Sequence, residues 1–122
     1  MKTDETTWKT VQQRLGYNDE EIKKFRENPR NADVLAKAPA LMNKTIVATV
    51  VDSHGCNSRH KVGDKFYFDG SGNLITKLSP KRICIYALSS IAGLIFASIE
   101  LFYAGIDPNE MRFRRAGCFD VG

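Results

Sequence analysis

The first third of the chain places its apolar residues at helical spacing. Trp8, Val11 and Leu15 lie three and four residues apart, so they fall on one face of a helix, and Gly16 follows as a natural end. The pattern predicts a helical arm over residues 1–43. Nothing in the residue types of this arm suggests catalysis.

Two more helices are predicted within the arm. Asn18 is typical of a helix N-cap, and Glu21, three residues later, completes the pattern of a capping box. Asn28-Pro29 should end this second helix, because a residue that precedes proline disfavours the helical conformation. A third short helix is predicted from Asn31 to Ala38, and Pro39 should interrupt it by removing a backbone donor.

Beyond Asn43 the pattern changes to that of β-strands. The residues from Thr45 to Val51 are β-branched almost throughout, which predicts a buried strand. Lys65–Phe68 and Leu74–Thr76 flank a Gly-rich loop and predict a hairpin. Met111–Arg114 alternates apolar and basic residues, so we expect a last strand there with one face in water.

A stretch without any charge, Ile83–Ile99, predicts a long hydrophobic helix. Ser79 has the residue type of an N-cap and Pro80 that of a first helical position, so the helix should start there and end near Gly105. A membrane span needs about 20 apolar residues. This stretch is shorter and is closed by Glu100, so we expect a buried helix and no membrane span.

These elements predict an α+β fold in a single domain. The helical arm, residues 1–43, should precede an α+β core, residues 44–122, with a small, mostly antiparallel sheet, flat or curled towards a barrel, and one long apolar helix. That helix is apolar nearly all round, and one small sheet cannot cover all of it. Either the arm or a second subunit must cover the rest. We therefore expect a homo-oligomer, or a bound partner protein, through residues 83–102.

Composition limits the class of protein. With 122 residues there is room for one hydrophobic core, and 43% hydrophobic and 26% charged residues are ordinary for a globular domain. The net charge of +4 falls short of the basic clustering of a nucleic-acid binder, so we expect no nucleic-acid partner. Met1–Trp8 is polar and lacks a secretory signal, and the 3 cysteines are an odd number. Reduced thiols in the cytoplasm are therefore expected.

Four metal-competent side chains follow the first predicted strand closely: Asp52, His54, Cys56 and His60. A loop after a strand can turn such side chains towards one point. Thiolate with imidazole suits zinc, and an added carboxylate would also admit iron. The spacing matches no standard zinc motif. The alternative is structural: the histidines bond to the backbone around a turn, and Cys56 packs as a small hydrophobe.

The other two cysteines could join this site. If the apolar helix starts at Pro80, Cys84 lies just beyond its first turn, where the helix dipole and two neighbouring basic residues favour a thiolate. The alternative for Cys84 is a buried small residue. The candidate catalytic residues are Cys56, His60 and Cys84. The candidate metal ligands are His54, Cys56, His60, Cys84 and Cys118.

Three segments together resemble a family of small bacterial and archaeal proteins of uncharacterised function: VVDSHGCNSRHKVGDKFYFDGSGNL, SPKRICIYAL and RRAGCFDVG. The resemblance runs from about residue 44 to the end, and the His-Lys-Val-Gly-Asp turn at residues 60–64 is its most specific part. It implies a compact soluble domain with a metal or thiol site, and no particular reaction. Its members continue beyond the position of Gly122 with a further Gly- and Cys-containing strand, so a ligand or edge strand of those relatives is expected to be missing here.

The sequence leaves three functions open. The first is a metal- or thiol-dependent protein, an enzyme or an enzyme subunit, that acts through Cys56 and His60. The second is a non-catalytic accessory or assembly module, in which the apolar helix makes the contacts and the Cys/His set is structural. The third is a weak binder of anions or RNA through Arg112–Arg115, although Phe113 is the single aromatic residue between the arginines. The sequence contains no Gly-rich phosphate loop and no nucleophile elbow.

Overall fold

The structure, a computed structural model, describes residues 4–118, which form four α-helices and a two-stranded antiparallel sheet. The helices are α1 (Glu5–Leu15), α2 (Asp19–Glu27), α3 (Pro29–Met42) and α4 (Ile85–Tyr103), and the strands are β1 (Thr45–Thr49) and β2 (Lys65–Asp69). A 3₁₀ turn, Pro108–Glu110, follows α4. The predicted α+β class is confirmed. The predicted barrel-like curl is not supported, because the sheet of the described residues does not close on itself.

The described residues divide into two compact units, with the boundary between Ala40 and Leu41. In the first unit, α1 and α2 pack around Trp8, which is 6% exposed. The Phe25 ring meets the Trp8 ring edge to face, with 6.2 Å between centroids, and the Arg26 guanidinium lies over the Trp8 ring at 5.0 Å. The apolar spacing that predicted α1 therefore places a buried aromatic residue at the centre of this unit.

The ends of α1 and α2 agree with the sequence prediction. Gly16 follows α1 in the left-handed conformation, with a φ of 70°, which glycine adopts at little cost. The Asn18 side chain accepts from the Glu21 N–H at 2.8 Å, and the Glu21 carboxylate accepts from the Asn18 N–H at 3.0 Å. The predicted capping box at the start of α2 is therefore confirmed.

Pro39 does not interrupt the third helix. The helix predicted over Asn31–Ala38 extends from Pro29 to Met42, with Pro39 inside it. Pro29 stands at the first helical position, where a backbone N–H would have no acceptor within the helix, so proline costs no hydrogen bond there. Proline holds φ at about −65°, which suits a helix, so Pro39 removes one hydrogen bond without forcing the chain out of the helix.

The second unit is built on the antiparallel pair β1 and β2, whose register sets Ala48 opposite Phe66 and Ile46 opposite Phe68. Side chains two residues apart on a strand point to the same face, so the two phenylalanines lie together. Phe66 is 1% and Phe68 is 5% exposed, and they form the core with Ile95 of α4. Ile46 and Ala48 pack against this core from β1.

Two of the predicted strands are not formed in the part of the chain that the structure describes. Leu74–Thr76 contributes one isolated bridge, between Phe68 and Leu74. The backbone over Met111–Arg114 is irregular, so the predicted last strand is wrong. An alternating pattern forms a strand when its apolar residues face a core, and Phe113 instead stays 80% exposed.

The helix α4 begins at Ile85 rather than at Pro80, with Cys84 at the N-cap position. The side chain of Ser79, the predicted N-cap, makes hydrogen bonds outside α4. Its hydroxyl accepts from the Tyr67 N–H of β2 at 3.1 Å and donates to a carbonyl four residues earlier at 2.9 Å. The placement of Cys84 beyond the first helical turn is therefore corrected, because tertiary bonding holds Ser79 in the loop before the helix.

Candidate functional site

The segment 50–64, which joins β1 to β2, contains the predicted Cys/His site. At its base the Val50 N–H donates to the Asp64 carbonyl, and the Gly63 N–H donates to the Val50 carbonyl, both at 2.8 Å. Gly63 has a φ of 95°, which favours glycine. The Asp64 carboxylate accepts from the Lys61 N–H at 3.0 Å. Asp64 therefore stabilises the turn that leads into β2.

His60 is the buried histidine of this segment, at 8% exposed. Its Nε2 lies 2.7 Å from the Arg82 carbonyl oxygen. A carbonyl oxygen only accepts, so Nε2 carries the hydrogen and donates. The His60 ring also meets Phe66 edge to face, with 5.0 Å between centroids. His60 thus fastens the segment that leads into α4 to the core of the sheet.

Cys56 lies on the same segment, half-buried, and takes part in a tight turn. The Arg59 N–H donates to the Cys56 carbonyl at 3.0 Å, and Arg59 has a φ of 60°, which is uncommon for a residue other than glycine. The Ser53 hydroxyl donates to the His60 carbonyl at 2.6 Å. These two bonds hold Cys56 and His60 on one folded loop.

His54 lies on the surface rather than beside the core. Its side chain is 82% exposed, and its Nε2 lies 3.0 Å from a carboxylate oxygen of Asp52, which is 75% exposed. Across residues 4–118, no three side chains among His, Cys, Asp and Glu form a group that could hold a metal ion. His54 faces solvent while His60 faces the core, so among the described residues these two side chains do not converge on one point. A zinc or iron ion at this segment stays a prediction.

Cys84 lies at the amino end of α4, and Cys118 follows a residue that bonds the second turn of the same helix. Cys84 is half-buried, and its carbonyl accepts from the Leu88 N–H at 3.0 Å in the first turn of α4. Cys118 is exposed and is the last residue that the structure describes. Just before it, the Gly117 carbonyl accepts from the Ser90 hydroxyl of α4 at 2.7 Å. Each cysteine therefore lies next to an end or a side of α4.

The basic cluster near the end of the described chain lies on irregular backbone. Arg112, Arg114 and Arg115 are exposed. The Arg114 guanidinium donates to the Asn109 carbonyl at 2.8 Å, within the chain itself. The predicted strand was to present these charges in a row along one face. Without that strand, the anion or RNA hypothesis loses the geometry on which it depended.

An open cleft of about 460 Å³ lies between α1 and α2 in the first unit. Two pairs of its polar side chains bond to each other. The Arg26 guanidinium donates to the Glu5 carboxylate at 3.0 Å, and the Gln12 amide donates to Asp19 at 3.0 Å. The hydrogen bond from Arg26 holds the pKa of Glu5 below its ordinary value. Four of the polar side chains that line the cleft are therefore paired with each other: Glu5, Gln12, Asp19 and Arg26.

The helix α4 packs one face on the sheet. This inner face consists of Ile95, which forms the core cluster with Phe66 and Phe68, and of Leu88, Ile91 and Ile99, which pack against that cluster. Their spacing of three and four residues keeps them on one side of the helix. Of the residues of α4, Ala87 and Ile95 are buried. Most of this apolar helix is therefore open to solvent to some degree.

The opposite side of α4 carries a row of exposed residues, which we name the outer seam: Tyr86, Ser89, Gly93, Phe96 and Glu100. Tyr86 is 55% and Phe96 is 68% exposed. The seam residues are spaced alternately by three and four, which is the spacing of a row that packs against another helix. By length and composition α4 could also cross a membrane, and 11% of that stretch is buried. The outer seam therefore leaves two large side chains of α4 uncovered, Tyr86 and Phe96.

Sequence reasoning did not single out the outer seam. Both sides of α4 are apolar, so hydropathy does not separate the side on the sheet from the exposed side. A signal was nevertheless present in the residue types. Ser89, Gly93 and Glu100, two small residues and the single charge of the helix, recur at helical spacing on one side, whereas the inner face holds leucine and isoleucine alone.

No protein-family model, curated protein or solved structure matches this chain. The resemblance of the Cys/His segment to a family of small bacterial and archaeal proteins therefore stays a prediction. Two features of the described residues are candidates for function, the loop that contains His60 and the outer seam of α4.

Proposed function

We propose that this chain is a non-catalytic assembly module that joins copies of itself through the outer seam of α4. The observation that carries the proposal is the exposure of the seam. Two large side chains, Tyr86 and Phe96, face outward on a helix whose single charge is Glu100. Rows of exposed apolar side chains are typical of surfaces that another protein covers. We place the module in the cytoplasm, where its thiols would stay reduced.

His60 supports this function in a structural role. Its hydrogen bond to the Arg82 carbonyl and its contact with Phe66 tie the segment ahead of α4 to the sheet. The inner face of α4 then stays on the core, and the outer seam faces outward. A surface held in place in this way loses little conformational freedom on binding, which favours association.

A second copy suits the outer seam better than a membrane does. Glu100 lies on the seam, and a charge inside the hydrocarbon core of a bilayer is costly. A membrane-spanning α4 would also leave the sheet and remove Ile95 from its contact with Phe66 and Phe68. Assembly in water leaves that core intact.

The experiment that tests this function is size-exclusion chromatography with light scattering in detergent-free buffer. The samples are the wild type, Phe96→Lys and Phe113→Lys. Phe96 is 68% and Phe113 is 80% exposed, so neither substitution empties the core, and Phe113 lies outside the seam. The wild type and Phe113→Lys should have the mass of an oligomer, and Phe96→Lys that of a monomer with unchanged circular dichroism. A wild type that stays monomeric at every concentration contradicts the proposal.

A metal- or thiol-dependent function is the second candidate, favoured by the bonding of His60. Because Nε2 donates to the Arg82 carbonyl, a neutral ring keeps its lone pair on Nδ1, the nitrogen that can accept a proton or bind a metal. Cys56 lies on the same loop. Elemental analysis of anaerobically purified protein tests this candidate. Stoichiometric zinc or iron that is lost in both Cys56→Ser and His60→Ala would favour it over the structural role.

A further inference from the structure

The residues of the outer seam are placed symmetrically along the chain about Ile91, with Tyr86 and Phe96 five residues away and Ser89 and Gly93 two residues away. We propose that two α4 helices pack antiparallel about a twofold axis at the level of Ile91. The inference rests on the proposed assembly function and specifies its contact. Around this axis Tyr86 faces Phe96 of the second copy, and Ser89 faces Gly93 of the second copy. By symmetry each of these contacts occurs twice.

The sizes of the seam residues fit this arrangement. Tyr86 and Phe96 form an aromatic pair at each end of the contact, and the small residues Ser89 and Gly93 meet in the middle. A Cβ atom added at Gly93 would meet nothing within 4 Å, so the space above this residue is open. Small residues at the centre of a helix pair let the two backbones approach closely. The aromatic rings then enclose the contact at both ends.

The charge of α4 and the two charges just before it stand at the unfavourable ends of its helix dipole. Lys81 and Arg82 precede the amino end, which is the positive pole, and the first turn holds no acidic residue. Glu100 lies in the last turn, at the negative pole, and that turn holds no basic residue. The helix itself therefore supplies a counter-charge at neither pole.

An antiparallel second copy supplies both counter-charges. It brings its Glu100 to the positive pole of the first helix, beside Lys81 and Arg82, and its own basic pair to the negative pole. A parallel pair would instead place Glu100 beside Glu100 and the basic residues beside each other, and such like-charge contacts disfavour association. The charges thus select the antiparallel pair, as the residue sizes do.

The test uses two charge-reversal variants that repel themselves and attract each other. The first is Glu100→Lys, and the second combines Lys81→Glu with Arg82→Glu. All three side chains are exposed, and the Arg82 carbonyl that bonds His60 remains in the variant. The control is Glu110→Lys, which makes the same change of charge at an exposed residue outside α4.

Sedimentation velocity at low salt gives the dissociation constant of each sample. Each variant alone should have a dissociation constant at least about tenfold higher than that of the wild type, because two symmetry-related contacts change from attraction to repulsion. An equimolar mixture of the two variants should regain the association of the wild type. Glu110→Lys should associate as the wild type does.

Two results overturn the antiparallel pair and leave the assembly function standing. In the first, both variants associate as tightly as the wild type while Phe96→Lys is monomeric. In the second, the variants dissociate and their mixture does not regain association. A Phe96→Lys protein that associates like the wild type overturns both proposals. Binding of the wild type to phosphatidylcholine vesicles that is lost in Phe96→Lys also overturns both, because the seam then serves a lipid surface.

Discussion

The inner and outer faces of α4 have nearly the same apolar character and opposite surroundings. On the inner face Ile95 is 8% exposed and packs on Phe66 and Phe68. On the outer seam the next residue along the chain, Phe96, is 68% exposed. A two-stranded sheet has room for one face of one helix. The difference shows that contact with the sheet, rather than hydropathy, decides which face of α4 is buried.

The largest expected effect is the loss of an inner-face side chain. Ile95→Ala should lower the free energy of unfolding by about 2–5 kcal/mol, because it leaves a cavity beside Phe66 and Phe68. Phe96→Ala should change it by less than about 0.5 kcal/mol, since the side chain is exposed. Denaturant unfolding at a concentration where the protein is dissociated measures both. Equal losses at the two positions would remove the distinction between the faces.

The next effect comes from the bond that holds α4 against the sheet. His60→Ala should lower the free energy of unfolding by about 1–3 kcal/mol, because the Arg82 carbonyl loses its donor and Phe66 loses a ring contact. The matched control is His54→Ala, whose side chain is 82% exposed and should matter little. Thermal unfolding compares the two. A loss in His54→Ala as large as that in His60→Ala would argue against the structural role of His60.

A smaller effect is expected at Gly93, where substitutions should change the stability of the fold and the strength of association independently. Gly93→Ala should raise the free energy of unfolding by about 0.5–1 kcal/mol, because glycine inside a helix is unfavourable and the added Cβ meets nothing within 4 Å. Gly93→Leu should keep the fold and weaken assembly, since it fills the centre of the seam. Gly70→Ala is the contrasting variant, because its Cβ would collide with the Leu41 carbonyl and destabilise the fold. Chemical denaturation and light scattering give both readouts.

The smallest expected effect is that of salt on the ends of the seam. Raising the salt concentration to 1 M shortens the screening length to about 3 Å and should weaken the contribution of Glu100 and Arg82. Sedimentation of the wild type should then show a dissociation constant a few-fold higher, because the apolar centre of the contact is not screened. For Glu100→Lys, sedimentation should show the opposite change, a modestly lower dissociation constant at 1 M salt, because salt screens its repulsion. If the dissociation constant of the wild type did not change with salt, Glu100 of one copy would not lie near Arg82 of the other.

Much of the fold could be predicted because its signals are local. The capping box of Asn18 and Glu21 involves residues three apart, and the structure contains it. The start of α4 could not be predicted in the same way, since Ser79 has the residue type of a cap. Its hydroxyl bonds Tyr67, a distant residue of β2, and that tertiary bond holds the chain out of the helix until Ile85.

The candidate site was harder to predict than the fold. His54 and His60 looked alike in the sequence, as two histidines flanking one cysteine. The structure separates them, because the turn at Gly63 and the packing of Phe66 set one ring on the core and leave the other in solvent. The outer seam could not be predicted from the sequence, because the two faces of α4 are alike in hydropathy. An apolar residue that the core covers has the same character as one that stays exposed.

The most direct test of the central claim is hydroxyl-radical footprinting of the seam at two protein concentrations, read by mass spectrometry. Tyr86 and Phe96 lie on the seam, and Phe113 lies outside it at 80% exposed, so each sample contains its own control. We predict that labelling of Tyr86 and Phe96 falls on going from dilute to concentrated protein, while labelling of Phe113 does not change. Equal labelling of Phe96 at both concentrations, in a sample that light scattering shows to be assembled, would contradict the account.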